Sequence, residues 1–100
     1  MKKLMAANWK MYKTSAEAVA TVNEMAEILK GVAPEGREIV VFVPFTALEA
    51  ASAAMKSIEG AATGAENVYP ANEGAFTGEI SPVMINAVHG VTKSQTRLSN

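Results

Sequence analysis

Two residues suited to holding an anionic, oxygen-rich molecule stand two positions apart near the start of the chain, Asn8 and Lys10 in the stretch AANWKM. They follow the short apolar run Leu4–Ala7, which reads as a strand buried on both faces, as in a parallel sheet. Parallel α/β folds gather their ligands at the carboxyl ends of such strands. Strand alternation puts the two side chains on one side, where an ammonium beside an amide would bind an anion and stabilise charge developing on it. The same pair also suits a solvated lysine beside an asparagine that ends a strand. Trp9 between them faces the other way and reads as a packing anchor.

Other chemistry is harder to build from this chain. His89, the only histidine, falls at an expected helix end with no evident carboxylate partner and reads as a surface residue. With no cysteine and one histidine, neither a thiolate nor an imidazole metal site is expected. Neither the dinucleotide glycine fingerprint nor the Walker lysine spacing occurs, which disfavours nucleotide binding. Glu66, Glu73 and Glu79 lie in or beside a glycine- and asparagine-rich stretch, and their spacing selects no acid/base pair among them.

The elements that must position Asn8 and Lys10 follow a repeated rhythm. Thr14 with Glu17 makes a capping-box signature, and Val19, Val22, Ala26 and Leu29 recur at helical spacing until Gly31. Pro34-Glu35-Gly36 reads as a turn, and Ile39–Val43 as a β-branched buried strand halted by Pro44. Thr46 and Glu49 repeat the capping-box spacing ahead of an alanine-rich helix carrying Leu48, Ala51, Ala54, Met55 and Ile58, with Gly60 as its stop. Ala61–Ala65 is a third strand candidate, weakened by Gly64 and small side chains. Residues 66–79 lack periodicity and read as a long loop. Ser81-Pro82 then opens a short helix with Val83, Met84, Ala87 and Val88 as its apolar face and Gly90 as its end. Residues 91–100, VTKSQTRLSN, are too polar for a fourth buried strand and are expected to be frayed and solvated. Strand–helix repetition of this kind means a parallel α/β fold with right-handed crossovers, either a barrel or a doubly wound sheet.

Composition sets the outer limits. At 100 residues, 49% hydrophobic and 19% charged with net charge −1, the chain has the make-up of one globular domain with one modest core. Nine basic residues against ten acidic ones leave no excess positive charge to drive binding to nucleic acid or anionic lipid. The N-terminal apolar run is too short for a signal-peptide core or a membrane span, so a cytoplasmic location is expected.

Taken together, AANWKM at 6–11, PFTAL at 44–48 and NVYPANEGAFTGEISP at 67–82 resemble the N-terminal part of the triosephosphate isomerase family in its bacterial style, in matching order and spacing over residues 3–88. The resemblance implies an α/β fold consisting of the first three βα units of a TIM (β/α)8 barrel, in a family whose barrels run to about 250 residues. It implies the cofactor-free interconversion of dihydroxyacetone phosphate and glyceraldehyde 3-phosphate, in glycolysis and gluconeogenesis, by a homodimer. By that resemblance Lys10 would neutralise the substrate phosphate and the developing enediolate, and Asn8 would help orient the substrate. Residues 67–80 would form the interdigitating dimer loop, with Tyr69, Phe76 and Thr77 at the interface and Thr77 approaching the neighbouring subunit's site next to Asn8.

The chain departs from the family pattern at its end. The family's catalytic histidine belongs to a GHSERR motif, whereas this sequence runs GVTKSQTRLSN, and His89 precedes that point in the order His-Gly. Residues 1–92 therefore read as the family portion and 93–100 as a non-matching tail. The glutamate base and the lid loop are not found either, so a chain truncated relative to the family is expected. General acid–base groups contribute about 10²–10⁴-fold each, so these residues alone are expected to lack activity. The alternative is an interaction fragment that docks on a full-length subunit through residues 67–80.

Overall fold

The computed structural model describes residues 3–31 and 36–88. Three strands, β1 (Lys3–Asn8), β2 (Arg37–Val43) and β3 (Ala61–Ala65), alternate with three helices, α1 (Ser15–Ile28), α2 (Phe45–Met55) and α3 (Pro82–Asn86). The strands form one open parallel sheet in the order β1-β2-β3. Ala6 pairs with Val40 and Asn8 with Phe42, while Val41 pairs with Thr63 and Val43 with Ala65. This register brings the last residues of all three strands to one edge, where the post-strand loops begin.

Strand β3 forms despite its small side chains, and Ala62 to Ala65 are buried. Packing explains it, because α2 lies against β3 and an alanine strand lets a helix approach closely. The main core lies between the sheet and the helices. It unites Val41, Val43 and Ala65 with Ala18 and Val22 of α1, Ala47, Leu48, Ala51 and Met55 of α2, and with Ile58 and Ile85. Val40, Phe42 and Ala62 form a second, smaller cluster on the opposite face. Trp9 packs against the main core as an anchor, in agreement with its position between two polar residues.

Strand β1 corrects the expectation of a strand buried on both faces. All six of its residues are exposed, with Leu4 at 51% and Met5 at 60%. It pairs with β2 alone, and the helices pack mainly on each other and on β2 and β3, so an apolar sequence occupies a sheet edge.

The helix starts divide in the same way. At α1 the capping box is complete: Thr14 Oγ1 accepts from the Glu17 N–H at 3.3 Å and Glu17 Oε1 accepts from the Thr14 N–H at 2.9 Å. These hydrogen bonds hold the Glu17 carboxyl below the ordinary glutamate value. The helix ends at Ile28, and Gly31 takes the left-handed φ of 78° just beyond it. At α2 the expected Thr46–Glu49 box does not form, because Pro44 occupies the N-cap and the helix begins at Phe45, which places Thr46 inside the first turn.

Helix α3 also differs from its expected face. Val83 and Met84 are each 55% exposed and Ile85 is the buried residue. Ser81, itself buried, accepts from the Met84 N–H at 3.1 Å and fixes a helix of only five residues with Ile85 turned into the main core. The expected turn residues Pro34 and Glu35, the residues His89 and Gly90, and the tail 91–100 lie outside the described residues.

The two threonines give a paired test. Thr14→Ala should lower stability by about 1 kcal/mol in urea denaturation, whereas Thr46→Ala should stay within about 0.5 kcal/mol of wild type. Equal losses would mean that Thr46 caps α2 after all.

Candidate functional site

The loop that follows β1 is held in a backbone conformation that side chains disfavour. Lys10 has φ 55° and Lys13 φ 79°, both in the left-handed region, at a cost of about 1–2 kcal/mol for each non-glycine residue. Local interactions hold both ends. The Trp9 N–H donates to the Phe42 carbonyl at 2.9 Å and extends the pairing with β2 by one residue. Asn8 Oδ1 accepts from the Lys10 N–H at 2.9 Å, closing a turn on itself. The capping box at Thr14 secures the far end, and Ser15 Oγ donates to the Thr46 carbonyl at 2.8 Å, tying the start of α1 to the start of α2.

Asn8 and Lys10 are thus related by a turn and not by strand alternation. The strand stops at Asn8, and the left-handed turn re-aims everything after it. The asparagine serves the backbone of the lysine. Lys10 lines a cavity of 470 Å³ together with Tyr12, Lys13, Thr14 and Glu17 on one side and Pro44, Thr46 and Glu66 on the other, and Asn8 is not among the lining residues.

Glu66, which the sequence left unassigned, is brought to this cavity as the first residue after β3. It is half-buried, and its Oε2 is buried without a hydrogen-bond partner. Burial pushes its carboxyl up from the ordinary glutamate value, and the Lys10 backbone N–H pulls it only partway back. The sequence signal for Glu66 was topological: it holds the position after β3 that Trp9 holds after β1 and Pro44 after β2. The cavity can therefore present an ammonium and a carboxyl group to a ligand at the carboxyl edge of the sheet.

The other sequence-selected residues gather elsewhere. The Tyr69 N–H donates to the Ile80 carbonyl at 2.8 Å, closing the base of the 67–80 loop, and Val68 and Ile80 pack on the main core. Tyr69 and Phe76 stack with ring centroids 4.6 Å apart and planes 38° from parallel. Phe76 remains 45% exposed, and residues 72–79, including Thr77, form an exposed tip. Tyr69 and Phe76 line a second cavity with Glu73 and Glu79, separate from the one at Lys10. Gly74 has φ 150°, and a Cβ there would meet the Phe76 ring at 2.5 Å.

Alternating parallel strands and helices, with the post-strand loops meeting at one edge, define an α/β protein whose open sheet matches part of a TIM barrel. It is similar to the crystal structure of triosephosphate isomerase from Bartonella henselae with a TM-score of 0.74 and 26% identity, over 91% of this chain and 35% of that one. The sequence profile of triosephosphate isomerase matches residues 3–92, and the chain belongs to the triosephosphate isomerase family. The enzyme of Oleidesulfovibrio alaskensis is 55% identical over 85 residues, 85% of this chain and 34% of that protein. The one from Dictyoglomus thermophilum is 48% identical over 84 residues, covering 84% and 32%. The chain thus spans about a third of the length of the curated relatives it matches. No helix among the described residues is long and apolar enough to cross a membrane.

Two stability measurements follow from this geometry. Because the Glu66 carboxyl is raised, the native state binds its proton more tightly than the unfolded chain does. Its contribution is therefore full at low pH and is lost as pH rises through the raised value. Glu66→Gln should gain stability relative to wild type on going from about pH 4 to about pH 7, and a difference independent of pH would contradict this. Gly74→Ala should lower the melting temperature and weaken the Tyr69–Phe76 stack, by about 1–2 kcal/mol for the backbone conformation alone.

Proposed function

We propose that this chain carries the phosphate- and enediolate-neutralising part of a triosephosphate isomerase site, with Lys10 as its electrostatic group and Asn8 as the residue that sets the turn bearing it. The observation that carries the reading is the Asn8-closed, left-handed turn, which puts Lys10 on a cavity at the carboxyl edge of the sheet in a chain of this family. Interconversion of dihydroxyacetone phosphate and glyceraldehyde 3-phosphate passes negative charge from a carbonyl to an enediolate. An ammonium presented at that edge attracts the developing negative charge.

Moving the proton between the two carbons needs a base and an electrophile. Lys10 is neither, so these 100 residues alone leave the isomerisation near its background rate. Residues 1–92 are the family portion in this reading and 93–100 a non-matching tail; it assigns no cofactor and a cytoplasmic setting. Tyr69, Phe76 and Thr77 would face a second subunit of the family's homodimer. The exposed tip of the 67–80 loop, stiffened by the Tyr69–Phe76 stack, supports docking on a full-length subunit as the second role.

Purified chain assayed for triose phosphate isomerisation beside Lys10→Ala should give equal, background rates; turnover that disappears with Lys10 would overturn the inactivity. For the docking role, gel filtration of the chain mixed with an intact relative should show co-elution that Phe76→Asp abolishes, and independent elution of the two would refute it.

A further inference from the structure

We propose that the free edge of β1 is an interface between two copies of this chain, joined antiparallel about a two-fold axis at Ala6. Strand β1 pairs with β2 alone, and all six of its residues are exposed, including the apolar run Leu4–Ala7. The Lys3 and Trp9 N–H groups face β2, donating to the Gly36 and Phe42 carbonyls at 2.8 and 2.9 Å. Alternation therefore turns the main-chain N–H and C=O groups of Leu4, Ala6 and Asn8 away from β2, along an edge that no other described strand pairs with. Beside this edge, on the face that carries the helices, Met5, Ala7 and Trp9 line an apolar groove of 370 Å³ with Met25, Ile28 and Leu29. Ile28 is itself exposed. An apolar edge of this kind is a template for another strand.

The pattern of β1 selects a second copy as that partner. Antiparallel pairing of the outward-facing residues puts Leu4 of each copy opposite Asn8 of the other and Ala6 opposite Ala6, each pair exchanging both main-chain hydrogen bonds. On the helix face, Met5 of each copy then stands opposite Ala7 of the other, a large side chain against a small one on the floor of the joined grooves. Charge is compatible with the same register. Lys3, the one charged residue of β1, falls opposite Trp9 of the second copy, and the two lysines stand about 20 Å apart, well beyond the Debye length of about 8–10 Å. A net charge of −1 leaves little repulsion between copies, and no charged side chain lines the groove to receive an ionic partner. The two-fold axis keeps both α1 helices on one face of the joined sheet, with Ile28 of each beside the seam. A seam about 20 Å long and about 20 Å deep, one strand layer and one helix layer, covers roughly 400 Å² per copy, about half of a standard interface. The expected dimer is therefore weak and concentration-dependent. It does not use the 67–80 loop and does not depend on the isomerase reading.

The test is sedimentation equilibrium of the whole chain from micromolar to millimolar concentration, with amide hydrogen exchange followed in parallel. A reversible monomer–dimer equilibrium is expected, with protection of the Leu4, Ala6 and Asn8 amides rising as the dimer forms. Met5→Lys and Ile28→Asp, both at exposed positions, should each weaken dimerisation about ten-fold or more, and Phe76→Asp should leave it unchanged. A chain that stays monomeric throughout overturns the proposal and leaves this face to another occupant. A dimer that forms without protection of those three amides, or that Phe76→Asp abolishes, also overturns it, as does open-ended assembly beyond two copies. The exchange measurement on the wild-type chain needs no variant to fold.

Discussion

Parallel pairing of β2 with a neighbour on each side is the constraint on which the rest of this structure depends. Parallel strands cannot be joined by tight turns, so each must be followed by a crossover that returns the chain to the same starting edge. Helices α1 and α2 are those crossovers, and their apolar faces make the main core with β2 and β3. The same constraint delivers Asn8, Val43 and Ala65 to a common edge, and with them the loops that begin at Trp9, Pro44 and Glu66. Lys10 and Glu66 are far apart in sequence, and the sheet register is what makes them neighbours.

At that edge the chain tolerates local strain. Lys10 and Lys13 occupy left-handed backbone, and the segment is kept there by a hydrogen bond from its own asparagine, by a capping box, and by the Ser15–Thr46 bond to the next unit. The site is thus distributed over all three units: the cation from the first, a backbone clasp from the second and a carboxylate from the third.

Much of this was legible in the sequence. Apolar runs gave the three strands, including the alanine-rich β3, and Thr14 with Glu17 gave the start of α1 in full. The failures have physical reasons. Threonine and glutamate at capping-box spacing mean nothing when a proline two residues earlier already fixes the helix start, as Pro44 does. The face of α3 is decided by where Ser81 anchors its first turn, which turned Ile85 inward and left Val83 and Met84 outside. An apolar run cannot reveal whether a strand lies in the middle of a sheet or at its edge, so β1 looked buried. Alternation was carried two residues beyond a strand that had ended, where a turn and not the strand relates Lys10 to Asn8. Glu66 stayed unassigned because what brings it to the cavity at Lys10 is its place after β3 in the parallel topology, which no local pattern records.

In the proposed reading, ligand chemistry belongs to the carboxyl edge of the sheet, where Lys10 is presented. Titrating the isotope-labelled chain with dihydroxyacetone phosphate and following every amide tests it most directly. Saturable shifts concentrated at Asn8, Lys10, Thr14 and Glu66 are expected. Saturable shifts confined to the cavity at the opposite edge, around Lys30, Arg37 and Glu59, with Lys10 unmoved, would contradict it.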